Sequence, residues 1–123
     1  MAARSPIRCM VVDDDHDGVE VVGEFLKLLD ADVRIVYGGQ QAIDLAMQFQ
    51  PQLVVLDLEM PGLDGFETCR ALRQQSWSRD AVIIAYTGLP ISKGIVLAAG
   101  FDHLVAKGDS PVIFETFLNG LAR

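Results

Sequence analysis

An acidic triplet, Asp13-Asp14-Asp15, closes a short apolar run near the start of the chain, and a lone Asp57 closes another. Two later apolar runs end in groups of other kinds, Thr87 and Lys107. Carboxylates from Asp13, Asp14 and Asp57 drawn into one pocket would repel each other. At ~4 Å and an effective dielectric near 20, each pair costs about 4 kcal/mol. Either one carboxyl takes a proton or a cation enters. A hard divalent ion fits this need, because Mg²⁺ takes one or two carboxylates and completes its shell with water and phosphate oxygens. Lys107 would add positive charge, and Thr87 a hydroxyl donor. Together these groups suit in-line transfer of a phosphoryl group to a carboxylate. Taken singly, each has a commoner structural use. A run of aspartates caps a helix or lines a solvated turn, and a threonine caps or a lysine covers surface. The chemical reading therefore rests on whether the chain brings these positions together.

The elements that would do so are short apolar runs alternating with helical stretches. Ile7 to Val12 reads as a strand buried on both faces. Val33 to Tyr37, Leu53 to Leu56, Ala81 to Tyr86 and His103 to Ala106 read as four more strands. Between them, residues 17–29 carry Val19, Val22, Phe25, Leu26 and Leu29 at helical spacing. Gln40 to Phe49 is a helix with Ile43, Ala46 and Met47 on one face, stopped by Pro51. A third helix carries Phe66, Cys69 and Leu72, and a weaker fourth spans 91–99 with Gly94 inside it. Pro111 can open a fifth, with Ile113, Phe114, Phe117, Leu118 and Leu121 facing inward. Five strands alternating with five helices predict an α/β fold, a parallel sheet covered on both faces and joined by right-handed crossovers. In such sheets chemistry sits beyond the carboxyl ends of the strands. All the residues singled out above lie there.

Composition narrows the function classes. The chain has 123 residues, the size of one ordinary domain, and half of them are apolar. The formal net charge of -7 argues against nucleic acid as a partner, since phosphate backbones are bound by clustered Lys and Arg. No apolar run reaches the ~20 residues of a membrane-spanning helix, and Met1 to Pro6 show no signal-peptide pattern. A cytoplasmic protein is expected. Cys9 and Cys69 are too few for a disulfide framework and read as buried thiols.

The segments Val11-Val12-Asp13-Asp14-Asp15, Val54 to Gly65, Thr87-Gly88 and Ala99-Gly100-Phe101-Asp102, with Lys107, resemble the response-regulator receiver family. The likeness runs from about residue 7 to 121, within one receiver domain spanning 1–123. It implies a flavodoxin-like five-stranded (βα)5 fold. It further implies that Asp57 is the phosphoacceptor of a two-component phosphorelay. Asp14 and Asp57 would touch Mg²⁺ (or Mn²⁺), Asp13 would act through water, and Glu59 would offer its backbone carbonyl. Thr87 would follow the phosphoryl group, and Lys107 would pair with acceptor or phosphoryl oxygens. The implied partners are a sensor histidine kinase or a histidine phosphotransfer domain as donor, and an output protein that the sequence does not identify. The chain would take part in phosphoryl transfer and its own dephosphorylation, without being an enzyme for a free substrate.

Three positions depart from the family pattern. Gly108 follows Lys107 where the family usually has proline after a cis bond. A cis bond to a non-proline residue costs about 3 kcal/mol, so a trans bond is expected here. Leu104 stands where many members carry an aromatic switch residue, so a threonine–tyrosine relay is not available. The stretch from Thr87 to Lys107 is about two residues short, so the family geometry is expected to fail there first. These departures keep open a receiver-like binding scaffold that is not regulated by phosphorylation. An aspartyl-phosphate phosphatase is a further alternative. Such enzymes need a second Asp two residues on, where this chain has Glu59, and usually on the first strand. His16 reads as an exposed loop residue, His103 has no assigned role, and Trp77 is expected to pack against the domain edge.

Overall fold

The structure, a computed structural model, describes residues 5–121. Residues 1–4 and 122–123, the ends of the expected domain, lie outside the described residues. Five strands, β1 (Arg8–Val12), β2 (Asp32–Val36), β3 (Leu53–Leu56), β4 (Val82–Thr87) and β5 (His103–Ala106), form one parallel sheet in the order β2-β1-β3-β4-β5. The connecting helices are α1 (His16–Leu28), α2 (Gly39–Phe49), α3 (Gly65–Arg73), α4 (Lys93–Ala98) and α5 (Ile113–Leu121).

Side-chain alternation along the strands builds a core on each face of the sheet. Met10, Val12, Val54, Leu56, Ile83 and Ala85 pack with Ala42 and Ala46 of α2, Cys69 and Leu72 of α3, and Val96 of α4. Cys9, Val11, Leu53, Val55, Ile84 and Val105 pack with Val19, Val22 and Leu26 of α1 and Phe114 and Leu118 of α5. The strands are buried on both sides, which is why they read as continuous apolar runs.

Helix boundaries follow local chemistry. Asp64 and Glu67 form a reciprocal capping box that starts α3: each side chain accepts from the other residue's backbone amide, at 2.9 and 3.1 Å. The fourth helix is shorter than its expected span of 91–99. The Ser92 hydroxyl accepts from the Ile95 amide at 3.4 Å and sets its start, and only Lys93–Ala98 is helical. Pro111 does not open α5 as expected. It precedes the helix, and its carbonyl accepts from the Phe114 amide at 3.0 Å. Two side chains assigned to apolar helix faces are exposed to solvent instead. Met47 is 60% exposed because the small Ala42 and Ala46 present the face of α2 that meets the sheet. Ile113 is 40% exposed because it leads α5, and the next residue, Phe114, fills the interior.

Trp77 packs half-buried against the core from a 3-10 segment at Ser76–Asp80, at the edge of the fold as expected. Arg73 ties the end of α3 to β5. Its guanidinium donates to the carbonyls of Gly100, Ser78 and Ala81 and pairs with Asp102 at 2.6 Å. Asp102 in turn accepts from the Ile83 amide at 2.8 Å, so α3, β4 and β5 are joined through one ion pair.

Candidate functional site

From β1 the chain turns outward to β2, and from there it crosses back to β3 on the other side of β1. Their carboxyl ends therefore diverge into loops on opposite sides, opening a crevice above β1 and β3. The parallel register pairs Val12 with Leu56, which sets the following residues, Asp13 and Asp57, side by side. The Asp57 amide donates to the Val12 carbonyl at 2.9 Å, and the Asp13 amide to the Val36 carbonyl at 3.2 Å. Both carboxyl groups are nearly sealed, with Asp13 3% and Asp57 4% exposed. Asp14, the next residue, is exposed at the rim.

The two aspartates hold their oxygens differently. Asp13 Oδ1 accepts from the Asp15 amide at 2.9 Å, while Oδ2 takes the Lys107 ammonium at 2.8 Å. At Asp57, the Glu59 amide (3.3 Å) and the Lys107 ammonium (3.4 Å) approach the same oxygen, Oδ1. Lys107 thus spans both carboxylates. Its backbone amide donates to the Thr87 carbonyl at 2.8 Å, which fixes the root of the side chain at the end of β4. The Lys107–Gly108 bond is trans, as expected for a non-proline residue, and Gly108 takes the left-handed φ of 102° that a glycine tolerates.

Charge crowding shows in the titration of the site. Burial, and then the negative charge of Asp13, push the Asp57 carboxyl up from 3.8 to about 6, against the opposing pull of Lys107. Burial pulls the Lys107 ammonium down, but the hydrogen bond and charge of Asp13, followed by Asp57, outweigh it and raise the group.

Asp13, Asp14 and Asp57 each offer one carboxylate oxygen, and the three oxygens lie within 4.8 Å of one another. Mg²⁺ binds oxygens at about 2.1 Å, so opposed ligands stand about 4.2 Å apart. The oxygens are close enough together for this oxygen-only donor set to suit such an ion. Three carboxylates with one lysine between them also leave net negative charge for a cation to neutralise.

Thr87 is the last residue of β4 and is 1% exposed. Its hydroxyl accepts from the Leu89 amide at 3.0 Å, so it shapes the loop after β4. Glu59 projects an exposed side chain from the loop after β3. That loop is anchored tightly. The Gly65 amide donates to the Leu58 carbonyl at 3.0 Å, and a Cβ at position 65 would lie 2.2 Å from the Asp57 carbonyl oxygen. Beside it, a cleft of about 550 Å³ is lined by Met60, Pro61, Phe66 and Leu89, among others. The structure brings Asp13, Asp14, Asp57 and Lys107 together, as their places just beyond the strand ends predict.

The model of the response regulator receiver domain matches residues 9–115. The chain belongs to the response regulator receiver family. Solved receiver domains share its fold over nearly its whole length. One is a response regulator from Chloroflexus aurantiacus, 25% identical over 97% of this chain and 100% of that one, with a TM-score of 0.85. The signal receiver domain of a DNA-binding response regulator from Colwellia psychrerythraea is 26% identical over 94% of this chain and 98% of that one, with a TM-score of 0.84. The receiver domain of a sensor histidine kinase from Pseudomonas aeruginosa is 25% identical over 94% of this chain and 97% of that one, with a TM-score of 0.84. That last structure has a magnesium ion coordinated in its active-site cleft.

In this receiver domain one further residue, Tyr86, borders the site through Lys107, although its place in the sequence gave it no role there. Tyr86 precedes Thr87 and points to the face shared with Val82 and Ile84, where the Lys107 ammonium lies 5.9 Å from its ring centre. His16, expected in a loop, is the first residue of α1, and its ring stacks on Tyr37 at 3.9 Å. Strict alternation along β4 is the signal that could have set Tyr86 opposite Thr87. No helix among the described residues is long and apolar enough to cross a membrane.

Proposed function

We propose that this receiver domain accepts a phosphoryl group on Asp57 from the phosphohistidine of a sensor histidine kinase or a histidine phosphotransfer domain. A carboxylate oxygen of Asp57 attacks phosphorus, the phosphorus–nitrogen bond breaks, and the histidine leaves with its electron pair and regains a proton. The product is an acyl phosphate, which water later hydrolyses to restore the carboxylate.

The observation that carries this reading is the Asp57 carboxyl itself. It is nearly sealed at the end of β3, crowded by Asp13 and Asp14, and spanned with Asp13 by one lysine. Asp14 and Asp57 would hold Mg²⁺ directly, Asp13 through water, and Glu59 by its backbone carbonyl. Bound there, the ion offsets negative charge on the carboxylates and on the phosphoryl oxygens. Lys107 would move from the Asp57 carboxylate to a phosphoryl oxygen while keeping its Asp13 partner, a role its contacts with both carboxylates support. Thr87 would exchange its bond with the Leu89 amide for one to the phosphoryl group, and the loop after β4 would follow. That displacement shifts the population of a surface read by an output protein. Leu104 offers no ring or hydroxyl to such a relay, so the coupling must run through other contacts.

The test is incubation of the full chain with acetyl phosphate and Mg²⁺, followed by intact mass measurement. One added phosphoryl group is expected, with none in Asp57→Asn or in EDTA. Labelling that survives Asp57→Asn would move the acceptor elsewhere and defeat the assignment.

A further inference from the structure

Lys107 spans two carboxylates at the end of a long, flexible stem whose root is fixed by its backbone bond to the Thr87 carbonyl. The next residue is Gly108, at φ 102°, and the one after, Asp109, is exposed. The ring of Tyr86, one strand away, also bears on the ammonium. Thr87 pairs with Ala106 in the β4–β5 register, so Tyr86 and Lys107 stand on the same face of neighbouring strands. The Lys107 nitrogen lies 5.9 Å from the Tyr86 ring centre, inside the range in which a cation is drawn to an aromatic face. The ring is itself fixed from the interior. Phe114, fully buried on α5, meets it edge-on at 5.5 Å and 75°. The ammonium is therefore held from two directions, by the carboxylates of Asp13 and Asp57 and by an aromatic ring packed edge-on against Phe114.

We propose that Tyr86 is a positioning residue, whose ring face holds the Lys107 ammonium across the Asp13–Asp57 pair and keeps it where phosphoryl transfer needs it. The role rests on the phosphoacceptor reading, but the contact does not. It uses the ring rather than the hydroxyl. It also takes up part of the support lost where Gly108 replaces the rigid residue usual in the family.

The experiment compares the wild-type chain with Tyr86→Phe and Tyr86→Leu by two readouts. The first is the proton shift of the Lys107 methylene next to the ammonium, measured by NMR. Ring current displaces it in the wild type and in Tyr86→Phe, and it returns to the value of a free lysine in Tyr86→Leu. The second is the initial rate of labelling by acetyl phosphate with Mg²⁺. Tyr86→Phe keeps the wild-type rate. Tyr86→Leu slows it about two- to five-fold, the factor expected from losing a partly exposed cation–ring attraction. If Tyr86→Leu melts below the assay temperature, Tyr86→Ile, a better strand former, carries the comparison. An unchanged rate in the aliphatic variant overturns the role, and so does a Tyr86→Phe variant as impaired as Tyr86→Leu. A wild type that takes no phosphoryl group defeats the phosphoacceptor reading instead. The methylene shift then still decides whether Tyr86 holds Lys107.

Discussion

Replacing Asp57 by asparagine should stabilise the metal-free protein, although it removes an ion-pair partner. The Asp57 carboxyl titrates near 6 in the folded chain against 3.8 for an ordinary aspartate. Between those values the folded protein holds a proton that the unfolded chain has released. Stability therefore falls as pH rises through that window. It is full below the unfolded value and lost above the folded one. At about 1.4 kcal/mol per pKa unit, the interval amounts to about 3 kcal/mol at neutral pH. Asparagine keeps the shape and can still accept the Glu59 amide that now reaches Asp57 Oδ1. Its amide can donate toward Asp13, where a second carboxylate could only repel. Thermal melts of both proteins in EDTA from pH 4 to pH 8 provide the assay. The two should coincide near pH 4, and the variant should lead by roughly 10 °C at pH 8, taking several degrees per kcal/mol for a chain of this size. A variant no more stable than wild type at pH 8, or a gap that ignores pH, would refute the crowding argument.

Magnesium should supply the same relief by a different route. An ion that binds the folded site only should raise the melting temperature at millimolar Mg²⁺, with about 1.4 kcal/mol of added stability at ten times Kd. A flat response in the wild type would count against the acidic pocket. Gly65→Ala should cost ~3 kcal/mol or more, because its Cβ would stand 2.2 Å from the Asp57 carbonyl oxygen. A denaturant midpoint equal to that of the wild type would show that α3 can retreat. Burial pushes the Cys9 thiol up to about 12 and the Cys69 thiol to about 11. Neither should react with a thiol reagent at pH 8 until the protein is unfolded, when both should. Prompt labelling of the native protein would contradict the packing described for β1 and α3.

Much of this was legible in the residues. Leu53 to Leu56 reads as a strand because a sheet covered on both faces admits apolar side chains on either side of it. The carboxylates assemble because parallel strands all end at one edge of the sheet, so residues distant in sequence become neighbours. Where reading failed, the deciding interaction was tertiary. Met47 and Ile113 fit an apolar stripe, but a helix rotates 100° per residue, and Ala42, Ala46 and Phe114 already occupied the inward positions. The fourth helix lost residues at both ends because Gly94 weakens it and little apolar surface holds it down. Alternation along β4 sets Tyr86 on the face opposite Thr87, but its contact with Lys107 depends on the register of β4 with β5, which no local pattern reveals.

The close seating of Gly65 on the Asp57 backbone makes one wall of the crevice behave as an anvil. The loop after β3 is backed by a capped helix and has no slack to absorb displacement. The opposite wall is packed more loosely: a Cβ at Gly88 would meet nothing within 4 Å, and the loop runs on through Pro90 into a helix of six residues. A load applied between the two walls is therefore delivered to the softer one. Stiffness distributed in this way gives a small chemical event at a fixed point a direction in which to push.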